Sequence, residues 1–512
     1  MQAPSMMRGF VTVGGWTLAS RVMGFARDIM IAATLGAGPA AEAFLIAFSL
    51  PNMFRRFFAE GAFNMAFVPM FSKKLESDDD PHGFARDAFS TLASLLIVLT
   101  VLAQVFMPWL VLLMASGFAE DERLPLAVTY GRIAFPYILL ISLAALLSGV
   151  LNSTGRFAAA AAAPILLNLI LVGLLLVAGR QGWPAGLTLA WGVPIAGIAQ
   201  LVLLWIAAGR AGYRLVPRRP RLTPELRRLA AIAAPAALAG GVVQVNLLVG
   251  RQVASFFDGA IAWLSYADRL YQLPLGVVGI AIGVVLLPDL SRRLRAGDDA
   301  GGRDAINRAA EFALILTVPA TVAFLVIPMP LVMTLFQRGA FGPDDAAATA
   351  LALAIYGLGL PAFVLQKVLQ PLYFAREDTR RPFYFALVSM VVNALLAIGL
   401  APVAGFLAAA IGTTIAGWSM VWLLRRGTRR MGDAAQSDAR LRRRVPRIVA
   451  AAAAMGLCLW LSMIVIGPLF GMGAWKFVAL LALVMIGAIS YFGIGNAIGA
   501  FSLRDIRAAI RR

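Results

Sequence analysis

Residues 69–75 read Pro-Met-Phe-Ser-Lys-Lys-Leu, and residues 288–294 read Pro-Asp-Leu-Ser-Arg-Arg-Leu. Each stretch follows a long apolar run, and each is expected to leave a helix for a basic loop that then carries adjacent aspartates. The register continues beyond them: Pro108 answers to Pro328, Pro136 to Pro361 and Asn168 to Asn393, with an offset that drifts only from 219 to 225 residues. Four matches in the same order point to a duplicated chain. The offset spans an even number of apolar runs, so equivalent helices would point the same way through a membrane, one of the plans on which carriers are built.

The apolar runs set the solvent. Hydrophobic residues make up 60% of the 512 positions and charged ones 14%, whereas soluble chains carry about a quarter charged residues. Runs of about twenty apolar residues, enough to cross a hydrocarbon core of roughly 30 Å as helices, recur throughout. They fall near 10–34, 40–71, 86–115, 125–152, 159–179, 184–208 and 229–257, then near 261–288, 305–328, 346–374, 382–400, 403–424, 446–467 and 474–500. The expected fold is all-α and integral to the membrane. It has about fourteen spans, arranged as two parallel six-helix repeats with two further helices at the end. The expected divisions are a first lobe at 1–210, a second at 211–425, a basic linker at 426–445 and the last helix pair with a basic tail at 446–512.

Short cytoplasmic loops are enriched in Lys and Arg, and alternate loops here are strongly basic. They hold Lys73 and Lys74, Arg156, the group from Arg210 to Arg221, Arg292 to Arg295, Arg376 to Arg381, and the cluster from Arg425 to Arg447. The intervening loops offer Arg123, Arg180, Arg338 and Lys476. Both termini are therefore expected in the cytoplasm. The net charge of +19 belongs to these loops and does not indicate nucleic acid. Arg21, Arg27 and Asp28 interrupt the first apolar stretch, which argues against a cleaved signal peptide.

Catalysis has little to work with. There is one cysteine, Cys458, and one histidine, His82, so neither a disulfide nor a His/Cys metal centre is expected. No phosphate-loop motif, metalloprotease motif or Ser/His/Asp arrangement is found. The reading is of a protein that is not an enzyme and has no cofactor.

Eight cations are read at bilayer depth: Arg21, Arg27, Arg55, Arg56, Arg132, Arg251, Arg269 and Lys367. Such a charge costs about 2.5 to 3.5 kcal/mol on insertion scales and normally faces a protein interior or a wet cavity. Structural pairing accounts for part of the set, through Arg56 with Glu60, Arg27 with Asp28 and Asp268 beside Arg269. The plausible acids are Asp28, Glu42, Glu60 and Asp268, which leaves an excess of about four cations in the first two spans of each half. Guanidinium suits phosphate through two-pronged hydrogen bonding that lysine cannot reproduce. An anion carrying phosphate or pyrophosphate is the expected ligand. Pro51 and Pro274 sit at comparable places in the two halves, each after a leucine, and are read as paired helix bends.

The motifs SRVMGFARD at 20–28, AFSLPNMFRRFFAEGAFNMAFVP at 47–69 and YADRLYQLPLGVVGIAIGVVLLP at 266–288 resemble the MurJ (MviN) lipid II flippases. FPYILLISLAALLSGVLNSTGRF at 135–157 and FQRGAFGPDD at 336–345 do so as well. That family lies in the multidrug/oligosaccharidyl-lipid/polysaccharide exporter superfamily, and the likeness covers nearly the whole chain. It implies a V-shaped pair of lobes, a cationic central cavity and a groove for the polyprenyl tail on the last two helices. It implies that Arg21, Arg27, Arg55 and Arg269 bind pyrophosphate, with Glu42, Arg56, Asp28 and Asp268 in support. Ser49 stands where relatives often carry Lys, and Gln272 where some carry Glu. Some relatives are described as binding sodium through carboxylates on later helices. This chain has no Asp or Glu at 229–257 or 381–425, so that site is not carried over. The implied partners are lipid II and membrane lipids, and the implied location is the bacterial cytoplasmic membrane. A flippase for another lipid-linked glycan is the alternative. A drug-cation exporter is disfavoured by like-charge repulsion, a membrane glycosyltransferase by the short noncytoplasmic loops, and a scaffold by the surplus of buried arginine.

Overall fold

The computed structural model describes residues 3–55, 62–429 and 431–502. The described residues are mostly helical, with no strand among them. In the first part of the chain the helices are α1 (Ala3–Leu35), α2 (Pro39–Arg55), α3 (Ala62–Ser77), α4 (Pro81–Met114), α5 (Arg123–Ala134), α6 (Tyr137–Ser153), α7 (Phe157–Gln181) and α8 (Ala185–Arg210). They continue as α9 (Pro224–Ala254), α10 (Ala260–Arg295), α11 (Asp299–Val326), α12 (Pro328–Leu335), α13 (Pro343–Phe374), α14 (Arg380–Ala404), α15 (Leu407–Thr428), α16 (Ala439–Ile466) and α17 (Trp475–Ala497).

Ten helical segments among the described residues are long and apolar enough to cross a membrane. The expected spans at 10–34, 40–71, 229–257 and 261–288 fall on α1, on α2 with α3, on α9 and on α10, which are not among those ten. These helices carry Arg21, Arg27, Arg55, Arg251 and Arg269. Arg21, Arg27 and Asp28 interrupt the apolar run of α1, whereas α9 and α10 each hold an uncharged apolar stretch, at 229–246 and 270–287.

One expectation needs correction. The Lys-Lys and Arg-Arg pairs of the opening motif lie inside α3 and α10, near their C-terminal ends, not in loops. A helix C-terminus favours cations, so the helix continues through them. The 125–152 run is one candidate span, Arg123–Ser153, in which α5 and α6 meet at Phe135-Pro136, where proline offers no backbone N–H. The apolar run at 305–328 is followed at once by α12, a short helix with Pro328 at its start.

The aspartates after each basic pair have a structural purpose. Asp80 caps α4, its Oδ1 accepting from Gly83 N at 2.9 Å, and Asp298 caps α11 in the same way, accepting from Gly301 N at 2.8 Å. A Cβ on either glycine would collide with the capping carboxylate, so the Asp-x-x-Gly spacing is a second, local signature of the duplication. Thr223 and Asp438 cap α9 and α16 likewise. Each cap satisfies an orphan N–H and is worth about 1 kcal/mol.

Two compact units form, Met1–Ala262 with Arg338–Phe341, and Trp263–Gln337 with Gly342–Arg512. In the first unit α1 packs on α7, α2 on α5, and α8 on both α6 and α7, while α9 lies against α3 and α4. In the second, α15 packs on both α13 and α14, and α13 also packs on α11. The pairing of α7 with α8 thus recurs as α14 with α15, and that of α6 with α8 as α13 with α15.

Within membranes, close helix approach relies on small residues and on hydrogen bonds across helices. Gly197 on α8 faces Tyr137, whose ring a Cβ would approach to 2.7 Å, and Tyr137 O–H donates to Gln200 at 3.1 Å. The last two helices pack on α11: a Cβ at Gly456 of α16 would come within 2.7 Å of Val322. Tyr491 of α17 donates to the Ile315 carbonyl at 2.8 Å. The chain leading into α16 is pinned to α11 by Asn307, which donates to Gln436 O at 2.9 Å and accepts from Asp438 N at 3.1 Å.

Candidate functional site

Arg27 is the best-defined of the cations read at bilayer depth. It lies on α1 and is 7% exposed. Its Nε and Nη2 donate to Asp28 Oδ1 at 3.0 and 2.6 Å, and its Nη1 donates to Asn168 Oδ1 at 2.9 Å. The guanidinium also lies over the Phe48 ring, 5.7 Å from its centre. Asn168 turns its amide nitrogen to the Ser20 carbonyl at 3.1 Å, tying α7 to α1. One N–H on each nitrogen is engaged. The terminal nitrogens each keep a second, and the group is held in one orientation.

Arg21 is exposed on α1, and Arg55 is half-buried at the end of α2. Arg56 and Glu60 lie outside the described residues. In the second unit Arg269 is exposed on α10, and Asp268 is half-buried and accepts from Gln272. Pro51 and Pro274 both lie inside helices that continue through them.

Glu42 has a partner that sequence reasoning missed. Its carboxylate, 1% exposed, accepts from Arg123 Nη1 at 2.9 Å and from the Ile261 backbone N at 3.0 Å. Arg123, read only as a loop cation, is itself buried. It also pairs with Asp121 and, at 3.2 Å, with Asp258, and it sits 4.5 Å from the Phe118 ring centre. This cluster fastens the start of α2 to the start of α5 and to the turn before α10. The only local signal was the Asp121-x-Arg123 spacing.

Arg132 belongs to packing. It donates to the Gln104 carbonyl at 3.2 Å, and Gln104 donates back to the Arg132 carbonyl at 2.8 Å, joining α5 to α4. Arg251 lies in the last turn of α9, and Lys367 is exposed on α13. Sequence reasoning also passed over Arg308 and Glu311 inside the apolar run at 305–328. Glu311 is 4% exposed and accepts from Arg308, Arg440 and Arg444, while Arg308 also reaches Asp438. This network holds α16 to α11.

The sequence model of the lipid II flippase MurJ family matches residues 31–481. A probable lipid II flippase MurJ of Rhizobium meliloti (strain 1021) is 45% identical over 99% of this chain and 97% of its own length. The lipid II flippase MurJ of Burkholderia cenocepacia is 34% identical over 89% of this chain and 90% of its own. Among solved structures, a lipid II flippase MurJ in an inward closed conformation superposes with a TM-score of 0.79 at 23% identity. The match covers 97% of this chain and 99% of that one. An inward-facing multidrug resistance MATE transporter of the MOP superfamily matches with a TM-score of 0.69 at 15% identity, over 82% and 96%. At these identities the two structures speak for the fold.

Proposed function

The chain belongs to the MurJ family of lipid II flippases, and from that premise we propose that it carries lipid II from the cytoplasmic to the outer leaflet of the bacterial cytoplasmic membrane by alternating access. Family membership over nearly the whole chain is the observation that carries this reading. The protein is multi-pass, with fourteen crossings and both termini in the cytoplasm, an orientation supported by the alternation of basic loops. Each half of the duplication contributes six crossings, with the lobes at 1–210 and 211–425, and the linker at 426–445 leads to the final pair.

The carrier makes and breaks no covalent bond in its substrate. Its chemistry is recognition of the pyrophosphate between the sugar and the polyprenyl chain. Arg21, Arg27 and Arg55 of the first unit and Arg269 of the second are assigned to that group. Arg27 illustrates how such a site is prepared: Asp28 and Asn168 fix the plane of the guanidinium, so little side-chain entropy remains to be lost when an anion binds. Asp28, Asp268, Glu42 and Arg56 support the site, and Pro51 and Pro274 provide bends for the change of access.

The test is depletion of the protein in its host, followed by measurement of the leaflet in which lipid II accumulates. Retention in the cytoplasmic leaflet is expected. Accumulation of a different lipid-linked glycan would replace lipid II as the substrate.

A further inference from the structure

The end of α8 and the chain after it enclose an open-sided cavity of about 440 Å³, lined by Trp205, Ile206, Gly209, Arg210, Arg214 and Val216. It lies wholly within the first unit. Two of its six lining residues are arginines and three are large apolar residues. Trp205, Ile206 and Val216 are 44%, 52% and 60% exposed, and Arg210 and Arg214 are exposed beside them. Arg156 donates to the Arg210 carbonyl at 3.0 Å, bringing a third guanidinium to the rim and bracing the helix end. In the same loop Arg218 is paired with Asp87, whereas among the described residues Arg210 and Arg214 make no ion pair. Two arginines left without a counter-charge at the foot of an apolar wall call for an anion.

The wall says what the anion is attached to. Trp191, Ile195, Ile198, Val202 and Trp205, 44% to 55% exposed, are spaced by alternate steps of four and three residues, so they form one stripe along α8. From Trp205 to Ile195 the stripe runs about 15 Å at 1.5 Å per residue, which is half of a hydrocarbon core of roughly 30 Å. A headgroup in the cavity would therefore lay an acyl chain along the stripe to the middle of the bilayer. Trp205, at the mouth, sits where amphipathic rings collect at the membrane surface. Inorganic phosphate would leave this lane unused.

We propose that the cavity at the end of α8 binds one bilayer glycerophospholipid with an anionic phosphodiester headgroup, held by Arg210 and Arg214 with an acyl chain along the α8 stripe. The proposal needs only that the chain spans a membrane and does not depend on what it transports.

The test uses the purified full-length protein in detergent and measures retention of phosphatidylglycerol and of phosphatidylcholine with identical acyl chains by native mass spectrometry. Phosphatidylglycerol should bind at least about tenfold more tightly. A basic side chain at a membrane surface contributes about fivefold in affinity for an anionic lipid, so R210Q/R214Q should weaken phosphatidylglycerol by roughly 25-fold. Gly209→Leu keeps every charge but fills the cavity. A Cβ there meets only Arg214 Cγ, at 3.5 Å, so the helix accommodates the change and phosphatidylglycerol binding should fall as well. R219Q/R221Q removes the same charge from the same loop outside the cavity and should leave binding within about twofold, because it touches only the diffuse field. Equal loss in that control, equal retention of the two lipids, or unchanged binding in Gly209→Leu would overturn the site. Displacement of phosphatidylglycerol by millimolar inorganic phosphate would make it a site for a free anion instead.

Discussion

Arg27 shows how a cation read at bilayer depth can be paired and still keep free N–H groups. Asp28 offsets its charge and Asn168 sets its plane, yet each terminal nitrogen of the guanidinium keeps one N–H outside that pairing. Alanine at Arg21, Arg27, Arg55 or Arg269 is expected to abolish complementation of a depleted strain while the protein still reaches the membrane. Growth supported by all four alanine variants at normal expression would remove the pyrophosphate assignment. Lysine at position 27 should rescue poorly, since one ammonium cannot serve Asp28, Asn168 and a phosphate in the same plane. Glu42 answers to a different rule. It is sealed against Arg123 and the Ile261 amide, and removing one partner of a buried pair strands the other charge. Glu42→Ala should cost about 3 kcal/mol, seen as a lower thermal unfolding temperature in detergent. The companion variant Arg132→Ala, at an exposed residue, should shift that temperature far less. Equal shifts would show the Glu42 cluster to be no more than surface pairing.

At the scale of elements, the two halves share devices more faithfully than they share residues. Asp80 and Asp298 cap α4 and α11 with glycine at the same spacing, and each should lose about 1 kcal/mol of stability on replacement by alanine. Chemical denaturation of the two variants checks this; a cap that bears no load would leave the midpoint unmoved. Pro51 and Pro274 lie within α2 and α10 and withhold a backbone hydrogen bond at matching places. Replacing both with alanine is expected to bias a cysteine introduced at exposed Gln272, in a Cys458→Ala background, toward labelling from one side of the membrane. Labelling from both sides at wild-type rates would reduce the prolines to packing features. The final helices behave as an appended element, joined to α11 by Glu311 and its arginines, by Gly456 and by Tyr491.

For the whole molecule, the excess of arginine read at bilayer depth is expected to tie transport to the membrane potential. An inside-negative potential favours outward movement of anions by about 2.3 kcal/mol per elementary charge per 100 mV. A pyrophosphate bound among arginines travels largely neutralised, so much of that energy should fall on the return step, when the cationic residues move without their anion and are drawn toward the negative cytoplasm. Collapsing the potential with an ionophore, at constant pH gradient and sodium, should lower the inward-open population of the substrate-free protein, read from cysteine accessibility. An unaltered population would exclude a resetting role for the potential.

Much of this was legible along the chain because a bilayer imposes a one-dimensional rule: a segment crosses if about twenty consecutive residues are apolar. Boundaries such as 159–179 and 403–424 accordingly fall within a few residues of α7 and α15. The duplication and the motifs carrying Arg21, Arg27, Arg55 and Arg269 were legible for the same reason, being matters of order and spacing. What hydropathy does not encode is which helix faces meet. Glu42 lies 81 residues from Arg123, and Arg27 lies 141 from Asn168. Glu311 finds Arg440 and Arg444 more than a hundred positions away. Likewise, the clustering of α9 with the first unit follows from its packing against α3 and α4. These are decisions of tertiary structure, because a buried charge is stabilised only by the particular partner that packing brings within hydrogen-bond distance, and no local pattern specifies that partner.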